Sequence, residues 1–151
     1  MVSARHRQRV EDYIAKGRAE GGRVATGGRR PAGRDQGWFV EPTVFADVDN
    51  DATICREEIF GPVLAVIPCR DEDEAVRIAN DSDFGLGGTV WSTDPERALR
   101  LARRIETGTI GVNRYLPDPA APFGGVKASG IGRELGPEGL AAYQQLKSIY
   151  C

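Results

Sequence analysis

Apolar residues recur at helical spacing near the start of the chain and predict an amphipathic helix over residues 3–20. The apolar stripe consists of Val10, Tyr13, Ile14 and Gly17, at positions i, i+3, i+4 and i+7 of one helical face. Ser3 is a suitable N-cap, and the pair Gly21-Gly22 is expected to end the helix.

Strand-like runs follow. The continuous apolar run Val63–Ile67 is typical of a strand buried on both faces of a parallel sheet. The other predicted strands are Trp38–Phe45, in which Pro42 indicates an edge or a bulge, the end of the glycine-rich segment Gly85–Trp91, and Thr109–Asn113.

Helical patterns alternate with these strands. Asp71 is expected to cap a helix whose buried stripe is Ala75, Ile78 and Ala79. Asp94-Pro95 predicts the start of another, whose apolar face is Ala98, Leu101, Ala102 and Ile105. A glycine-rich loop over 124–139 precedes a short predicted helix at Leu140–Leu146.

The order of elements over residues 63–113 predicts the fold class. Strand, helix, strand, helix, strand forms a βαβαβ unit, so we expect an α/β fold with an open, mostly parallel sheet. Ligands of such sheets bind beyond the carboxyl ends of the strands, which directs attention to Asn113 and the loop after it.

The composition of the chain disfavours binding to nucleic acid or to a membrane. Charged residues are 28% and hydrophobic residues 40% of the chain, as in ordinary globular proteins, and the net charge of −2 favours neither nucleic acid nor a membrane surface. Residues 1–37 hold nine basic and four acidic residues, but no aromatic residues alternate with the arginines of the first helix, which disfavours nucleic-acid binding. No apolar run suits a bilayer span or a secretory leader, so a cytoplasmic location is expected.

Cysteine and histidine form no metal-binding pattern in the sequence. Cys55, Cys69 and Cys151 are widely spaced, and reduced thiols are the favoured interpretation. The single histidine, His6, lies among arginines on the first helix and is expected to be solvated.

Two motifs raise the question of chemistry. In EEIFGP, Glu57–Pro62, extended geometry would point the adjacent glutamates Glu57 and Glu58 to opposite sides, which argues against an acid/base pair and favours a solvated turn. The spacing of Gly130, Gly132 and Gly136 is close to a dinucleotide fingerprint but lacks the acid about 20 residues further on. A loop where backbone packs closely is the better interpretation of these glycines.

The motifs together resemble the aldehyde dehydrogenase superfamily. In order, they are EEIFGPV, FGLGGTVWS, GTIGVNRY, PFGGVKASGIGRELG and GLAAYQQLKSIY. The resemblance extends over essentially the whole chain and corresponds to the C-terminal third of the family's enzymes. It implies a partial catalytic domain over residues 1–146 and the start of an oligomerisation strand over 147–151, which pairs with a neighbouring subunit.

The resemblance also implies roles for individual residues. Glu58 would accept hydrogen bonds from the nicotinamide ribose of NAD or NADP, with Phe60 packing on the nicotinamide. His6 and Arg9 would lie where the first helix approaches the cofactor. On the substrate side the implied residues are Asn113, close to the active site, and Phe123, which lines the loop at the aldehyde entrance.

The chain departs from the family in what it lacks. The nucleophilic cysteine, the general-base glutamate and the oxyanion asparagine of the family all lie upstream of the region it resembles. We therefore expect the C-terminal part of an enzyme that oxidises an aldehyde to a carboxylic acid. The chain is expected to be inactive alone and to associate with the missing domain or in a homo-oligomer, and a small-molecule aldehyde is the expected partner of the complete enzyme. The alternative is a non-catalytic interaction subunit that assembles with a full-length relative.

Overall fold

The computed structural model describes all 151 residues, and the first predicted helix is present as α1, Ala4–Ala19. The Ser3 side chain accepts a hydrogen bond from the His6 backbone N–H at 3.1 Å, as an N-cap does. At the other end, Gly21 adopts φ +89° and the Gly22 N–H donates to the Gly17 carbonyl at 2.8 Å. This is a Schellman ending, which requires a residue tolerant of the left-handed region.

The chain separates into two units, Met1–Arg70 (unit 1) and Asp71–Cys151 (unit 2). No regular structure is present over residues 144–151. The assignment of 1–146 to a partial catalytic domain and of 147–151 to a strand shared with a neighbouring subunit stays a prediction.

Unit 1 combines α1 with a small mixed sheet. After α1 its elements are β1 Arg23–Thr26, β2 Thr43–Ala46, α2 Thr53–Arg56 and β3 Val63–Val66. The strand order is β1-β2-β3, with β1 antiparallel and β3 parallel to β2. Strand β2 therefore lies at the centre and carries the most buried side chains.

The core of unit 1 is built around Phe45, which is fully buried. The buried helical stripe is the predicted one, Val10, Tyr13, Ile14 and Gly17. Gly17 and Gly22 face the Phe45 ring so closely that a Cβ at either position would come within 3.0 Å of it. The missing side chains thus let the helix and its ending approach the sheet.

Two strand predictions in unit 1 need correction. The predicted strand Trp38–Phe45 forms only from Thr43, directly after Pro42, because proline has no N–H to donate to a ladder. The run Val63–Ile67 is a strand over Val63–Val66, but it is not buried on both faces: Leu64 is 59% exposed and Val66 45%.

Unit 2 contains the remaining elements. They are α3 Glu72–Asn80, β4 Phe84–Gly85, β5 Gly87–Val90, α4 Pro95–Ala102, β6 Thr109–Val112, β7 Val126–Lys127 and α5 Gly136–Ala141. Strands β5 and β6 pair in parallel and α4 connects them, so one βαβ crossover of the predicted α/β fold is present. The sheets are smaller than predicted, since β3 pairs with β2 and β4 pairs with β7.

The helices of unit 2 begin where their caps predict. Asp71 accepts a hydrogen bond from the Glu74 N–H at 2.8 Å, and Asp94 accepts one from the Arg97 N–H at 3.0 Å. The buried side of α3 differs from the prediction, because Val76 is its buried residue while Ala79 is exposed. The last helix, α5, spans Gly136–Ala141 rather than Leu140–Leu146, since Pro137 lies in its first turn, where proline is favoured.

The geometry of the glycine-rich loop supports close packing at some glycines only. A Cβ on Gly124 would lie 2.3 Å from the Gly132 carbonyl oxygen, whereas Gly130 and Gly132 have open space at their own Cβ positions. None of the helices has the length and hydrophobicity needed to cross a bilayer.

An ion pair on unit 1 leads to a pH prediction. Arg30 donates to both carboxylate oxygens of Glu11, at 2.5 and 2.8 Å, and this hydrogen bonding lowers the pKa of Glu11. Because the pKa of Glu11 is lower in the folded chain than in the unfolded chain, where it is about 4.3, the ion pair stabilises the fold at pH values above about 4.3. This stabilisation is lost as the pH falls through the pKa of the folded chain.

We expect Glu11→Gln to reduce the free energy of unfolding by about 1 kcal/mol at pH 7, and by progressively less as the pH falls below about 4.3. Urea denaturation followed by circular dichroism between pH 7 and 3 measures this difference. Asp35→Asn, which changes an exposed carboxylate of the same unit, is the control. A Glu11→Gln deficit that persists unchanged at pH 3 would contradict the assignment.

Candidate functional site

The EEIFGP segment links α2 to β3 on unit 1 and is anchored by its apolar residues. Ile59 is 9% exposed and belongs to the core cluster. A Cβ on Gly61 would lie 2.6 Å from Val10 Cγ2, so the backbone of the segment passes directly against α1. A side chain at position 61 would displace it from the helix.

Helix α1 also binds the segment through polar side chains. The His6 Nε2–H donates to the Phe60 carbonyl at 2.6 Å, and Arg9 Nη2 donates to the Glu58 carbonyl at 2.7 Å. The Tyr13 hydroxyl donates to Glu57 Oε2 at 2.6 Å. Three consecutive turns of the helix therefore hold three residues of the segment.

The side chains that this arrangement leaves free are Glu58 and Phe60. The Glu58 carboxylate is exposed and has no partner within the chain, and Phe60 is 72% exposed. The Phe60 backbone adopts φ +53°, a left-handed conformation that is unusual for a bulky residue. Backbone strain of this kind clusters at ligand-binding positions.

Two expectations from the sequence change here, and a third stays a prediction. Glu57 is not simply part of a solvated turn, because its carboxylate accepts a hydrogen bond from the Tyr13 hydroxyl. His6 is not simply solvated: it is half-buried and bonded to Phe60, with its Nδ1 buried and unpartnered. Arg9 donates to the Glu58 carbonyl and to the Tyr13 hydroxyl, so its predicted cofactor contact stays a prediction.

Sequence reasoning missed Tyr13 as part of this site. A tyrosine within an apolar stripe needs a partner for its hydroxyl, which is the one feature that could have indicated it. The partner itself lies 44 residues away along the chain and is not visible in any local pattern. The hydrogen bond to Glu57 raises the pKa of Tyr13, so the hydroxyl stays protonated and able to donate at neutral pH.

Asn113 lies at the carboxyl end of β6 in unit 2, as predicted. Its side-chain Oδ1 accepts from the Ser92 N–H and its Nδ2 donates to the Ser92 carbonyl, both at 2.8 Å. Its backbone adopts φ +56°, which asparagine tolerates better than most residues. The amide thus connects the end of β6 to the segment that follows β5, and a contact with substrate stays a prediction.

A cavity of about 500 Å³ lies beside this turn. Its walls come from β6 and from the loop after it, including Arg114, Tyr115, Leu116 and Phe123. The Tyr115 hydroxyl lies 2.7 Å from Thr109 Oγ1 and holds the loop against the strand. Phe123 therefore lines this cavity, and its role at an aldehyde entrance stays a prediction.

The three cysteines are free thiols in different surroundings. Cys55 packs against the core of unit 1, and burial raises the pKa of its thiol, with Asp49 adding to the shift. A nucleophilic thiol needs the opposite shift. Cys69 and Cys151 are exposed free thiols.

Comparison with known proteins decides the family. The model of the aldehyde dehydrogenase family matches residues 1–149. The chain belongs to the aldehyde dehydrogenase family. Its resemblance to that superfamily, predicted from five motifs, is thereby confirmed, and enzymes of the family are oxidoreductases that use NAD or NADP.

Curated aldehyde dehydrogenases resemble the chain along nearly its full length. A geranial dehydrogenase of Castellaniella defragrans is 63% identical over 150 residues, which are 99% of this chain and 31% of the relative. A betaine aldehyde dehydrogenase of Brucella ovis is 50% identical over 153 residues, with the same shares covered. The chain thus spans about a third of the length of these relatives.

Solved aldehyde dehydrogenase structures superpose closely. The Mycobacterium tuberculosis enzyme, solved with NAD+, matches with a TM-score of 0.93 and 57% identity over 95% of this chain and 30% of that chain. A Staphylococcus aureus betaine aldehyde dehydrogenase with NAD+ matches with a TM-score of 0.91 and 45% identity, over 95% of this chain and 29% of that chain. These matches confirm an α/β aldehyde dehydrogenase fold.

Proposed function

We propose that this chain is the C-terminal third of an NAD(P)-dependent aldehyde dehydrogenase, which oxidises an aldehyde to a carboxylic acid. Its contribution is the surface that positions the nicotinamide ribose together with part of the substrate-tunnel wall. The observation that supports this most directly is the exposed pair Glu58 and Phe60 on a backbone held by α1.

The residues at this surface fit one end of a dinucleotide. A carboxylate accepts two hydrogen bonds from adjacent ribose hydroxyls, and the Glu58 carboxylate is exposed with no partner in the chain. The exposed Phe60 ring offers an apolar surface for a planar heterocycle. When bound, the nicotinamide supplies hydride acceptance, while Glu58 and Phe60 orient it.

The substrate side of the proposal is the cavity on unit 2. Phe123, Leu116 and Tyr115 give it an apolar and aromatic wall suited to the carbon chain of an aldehyde. Asn113 supports this wall through its two hydrogen bonds to Ser92. The identity of the aldehyde is set by the complete tunnel.

Catalysis requires groups that this chain does not provide. Aldehyde oxidation in the family proceeds by attack of a thiolate on the carbonyl, and the thiol of Cys55 has its pKa raised by burial. We therefore propose that the chain alone is inactive and does not bind NAD measurably, and that nucleophile and general base come from a further polypeptide segment.

The test uses the purified chain with NAD, geranial and betaine aldehyde, monitored at 340 nm, and calorimetric titration with NAD. We expect no turnover and no binding. The chain is then mixed with a fragment of the Castellaniella defragrans geranial dehydrogenase that covers the part outside the matched region. Recovery of aldehyde-dependent NADH formation is expected.

In the complemented enzyme, we expect Glu58→Ala to raise KM for NAD about tenfold, the effect of losing roughly 1.4 kcal/mol of binding. Glu96→Ala, which removes an exposed glutamate on α4, is the matched control. If the chain alone is active and loses this activity in Cys55→Ser or Cys69→Ser, the proposal that it is inactive alone is wrong. Complementation that fails with both pieces folded, or that is unaffected by Glu58→Ala, would refute the contribution to the cofactor site.

A second candidate function is a non-catalytic subunit that assembles with a full-length relative. The observation that favours it is the number of exposed apolar side chains, which include Leu64, Leu140, Tyr143, Leu146, Ile149 and Tyr150. Apolar surface of this kind favours association, either between copies of the chain or with a relative. Size-exclusion chromatography with light scattering, with and without the full-length geranial dehydrogenase, tests it; a clean monomer in both runs would contradict it.

A further inference from the structure

Three side chains of α1 and three residues of the EEIFGP segment are bonded in opposite order. His6, Arg9 and Tyr13 are three and four residues apart and therefore share one face of the helix. Their partners run in the reverse direction along the chain, with His6 bound to Phe60, Arg9 to Glu58 and Tyr13 to Glu57. The segment is thus fastened along its length rather than at one point.

Tyr13 is the member that connects two of these bonds. Its hydroxyl donates to Glu57 at 2.6 Å and accepts from Arg9 Nη2 at 3.2 Å. The guanidinium carbon of Arg9 also lies 4.9 Å from the centre of the Tyr13 ring. The ring is 7% exposed and packs in the core of unit 1, so the hydroxyl has a fixed origin.

We propose that Tyr13 is a positioning residue for the cofactor surface. It holds Glu57 directly and orients Arg9 on the Glu58 carbonyl, and it thereby fixes the directions in which the Glu58 carboxylate and the Phe60 ring leave the protein. The effect of Tyr13 on cofactor binding rests on the proposed function. Its role in holding the backbone of residues 57–60 in place does not.

The mechanical role is tested on the full chain without any cofactor, by 15N relaxation of backbone amides. In the wild-type chain we expect order parameters near 0.85 at Glu58 and Phe60, as for rigid backbone, and values below about 0.6 in Tyr13→Phe. Lys16→Met is the control, because it removes a charge 5.4 Å from the centre of the same ring and leaves the Tyr13 hydroxyl with both of its hydrogen bonds.

Glu57 provides a conservative rescue. Glu57→Gln keeps an oxygen that accepts the Tyr13 hydroxyl and should keep residues 58–60 ordered, whereas Glu57→Ala should release them. If Tyr13→Phe does not fold, the two variants at the exposed position 57 still test whether the bond to Tyr13 orders the segment. The proposal would be overturned if residues 58–60 stay ordered in Glu57→Ala, or if Glu57→Ala and Glu57→Gln lose order there equally. It would also be overturned if Tyr13→Phe loses order evenly over β2 and β3.

The complemented enzyme supplies the functional measurement. Tyr13→Phe should raise KM for NAD about fivefold with kcat changed less than twofold, and Lys16→Met should change neither. Failure of complementation would count against the proposed function alone, because the relaxation experiment needs no cofactor. Unchanged KM in an active Tyr13→Phe complex would overturn the positioning role.

Discussion

Gly111→Ala is expected to remove about 3 kcal/mol from the free energy of unfolding and to disrupt the cavity of unit 2. A Cβ at this position would lie 1.8 Å from the Arg114 carbonyl oxygen and 3.1 Å from Tyr115 Cα. Both belong to backbone that turns back over β6, so no side-chain rotation relieves the clash. The turn must open, and with it the loop that carries Phe123.

Urea denaturation followed by circular dichroism measures the loss, and amide chemical shifts over residues 114–123 report on the loop. Gly88→Ala is the matched control on the neighbouring strand, since its Cβ would meet only Thr107 Cγ2 at 3.9 Å. That variant should be unchanged or up to about 1 kcal/mol more stable. Equal effects at both glycines would show that the close approach of Gly111 to the turn is not maintained in solution.

Phe45→Ala is expected to destabilise the chain by about 3–5 kcal/mol, the cost of deleting a fully buried aromatic side chain. The ring fills the space left by Gly17 and Gly22, so neither neighbour has a side chain that could collapse into the cavity. A loss of this size is a large part of the 5–15 kcal/mol that typically stabilises a folded protein.

The measurement is again urea denaturation, with Phe39→Ala as the control. Phe39 belongs to the same unit but is 46% exposed, so its removal should cost less than about 1 kcal/mol. Similar losses in the two variants would contradict the assignment of Phe45 to the centre of the core.

Local features of the sequence predict α1, α3 and α4, whereas α2 is not predicted and α5 begins four residues earlier than expected. Ser3, Asp71 and Asp94 each cap a helix because a short polar side chain satisfies backbone N–H groups that have no helical partner. The stripe on α1 was predicted residue by residue, since the helical period and burial coincide there. Such features depend on neighbours a few positions away.

Non-local features were predicted less well. The apolar run Val63–Ile67 indicates a strand, but whether a layer covers Leu64 and Val66 depends on what packs there, which no run of residues specifies. The pairing of β3 with β2 rather than with a later strand is equally non-local. The late start of β2 was predictable in principle from Pro42, because proline cannot donate to the ladder.

The candidate site also has features that the sequence predicts and features that only the folded chain shows. The positions of Glu58, Phe60 and Phe123 follow from motif resemblance, and the structure leaves the first two exposed and places the third in a cavity wall. Their binding roles, and those of Arg9 and Asn113, stay predictions. The bond between Tyr13 and Glu57 joins residues 44 positions apart and could be found only in the folded chain.

The left-handed backbone of Phe60 has an evolutionary consequence. A glycine at this position would relieve conformational strain of about 1–3 kcal/mol, so a sequence optimised for folding alone would not retain an exposed aromatic residue there. Phe60 is therefore a place of local frustration, where backbone preference and side-chain identity conflict. Stabilising the chain by Phe60→Gly should come at the expense of whatever the ring contacts, which makes position 60 the natural location of a trade-off between stability and activity.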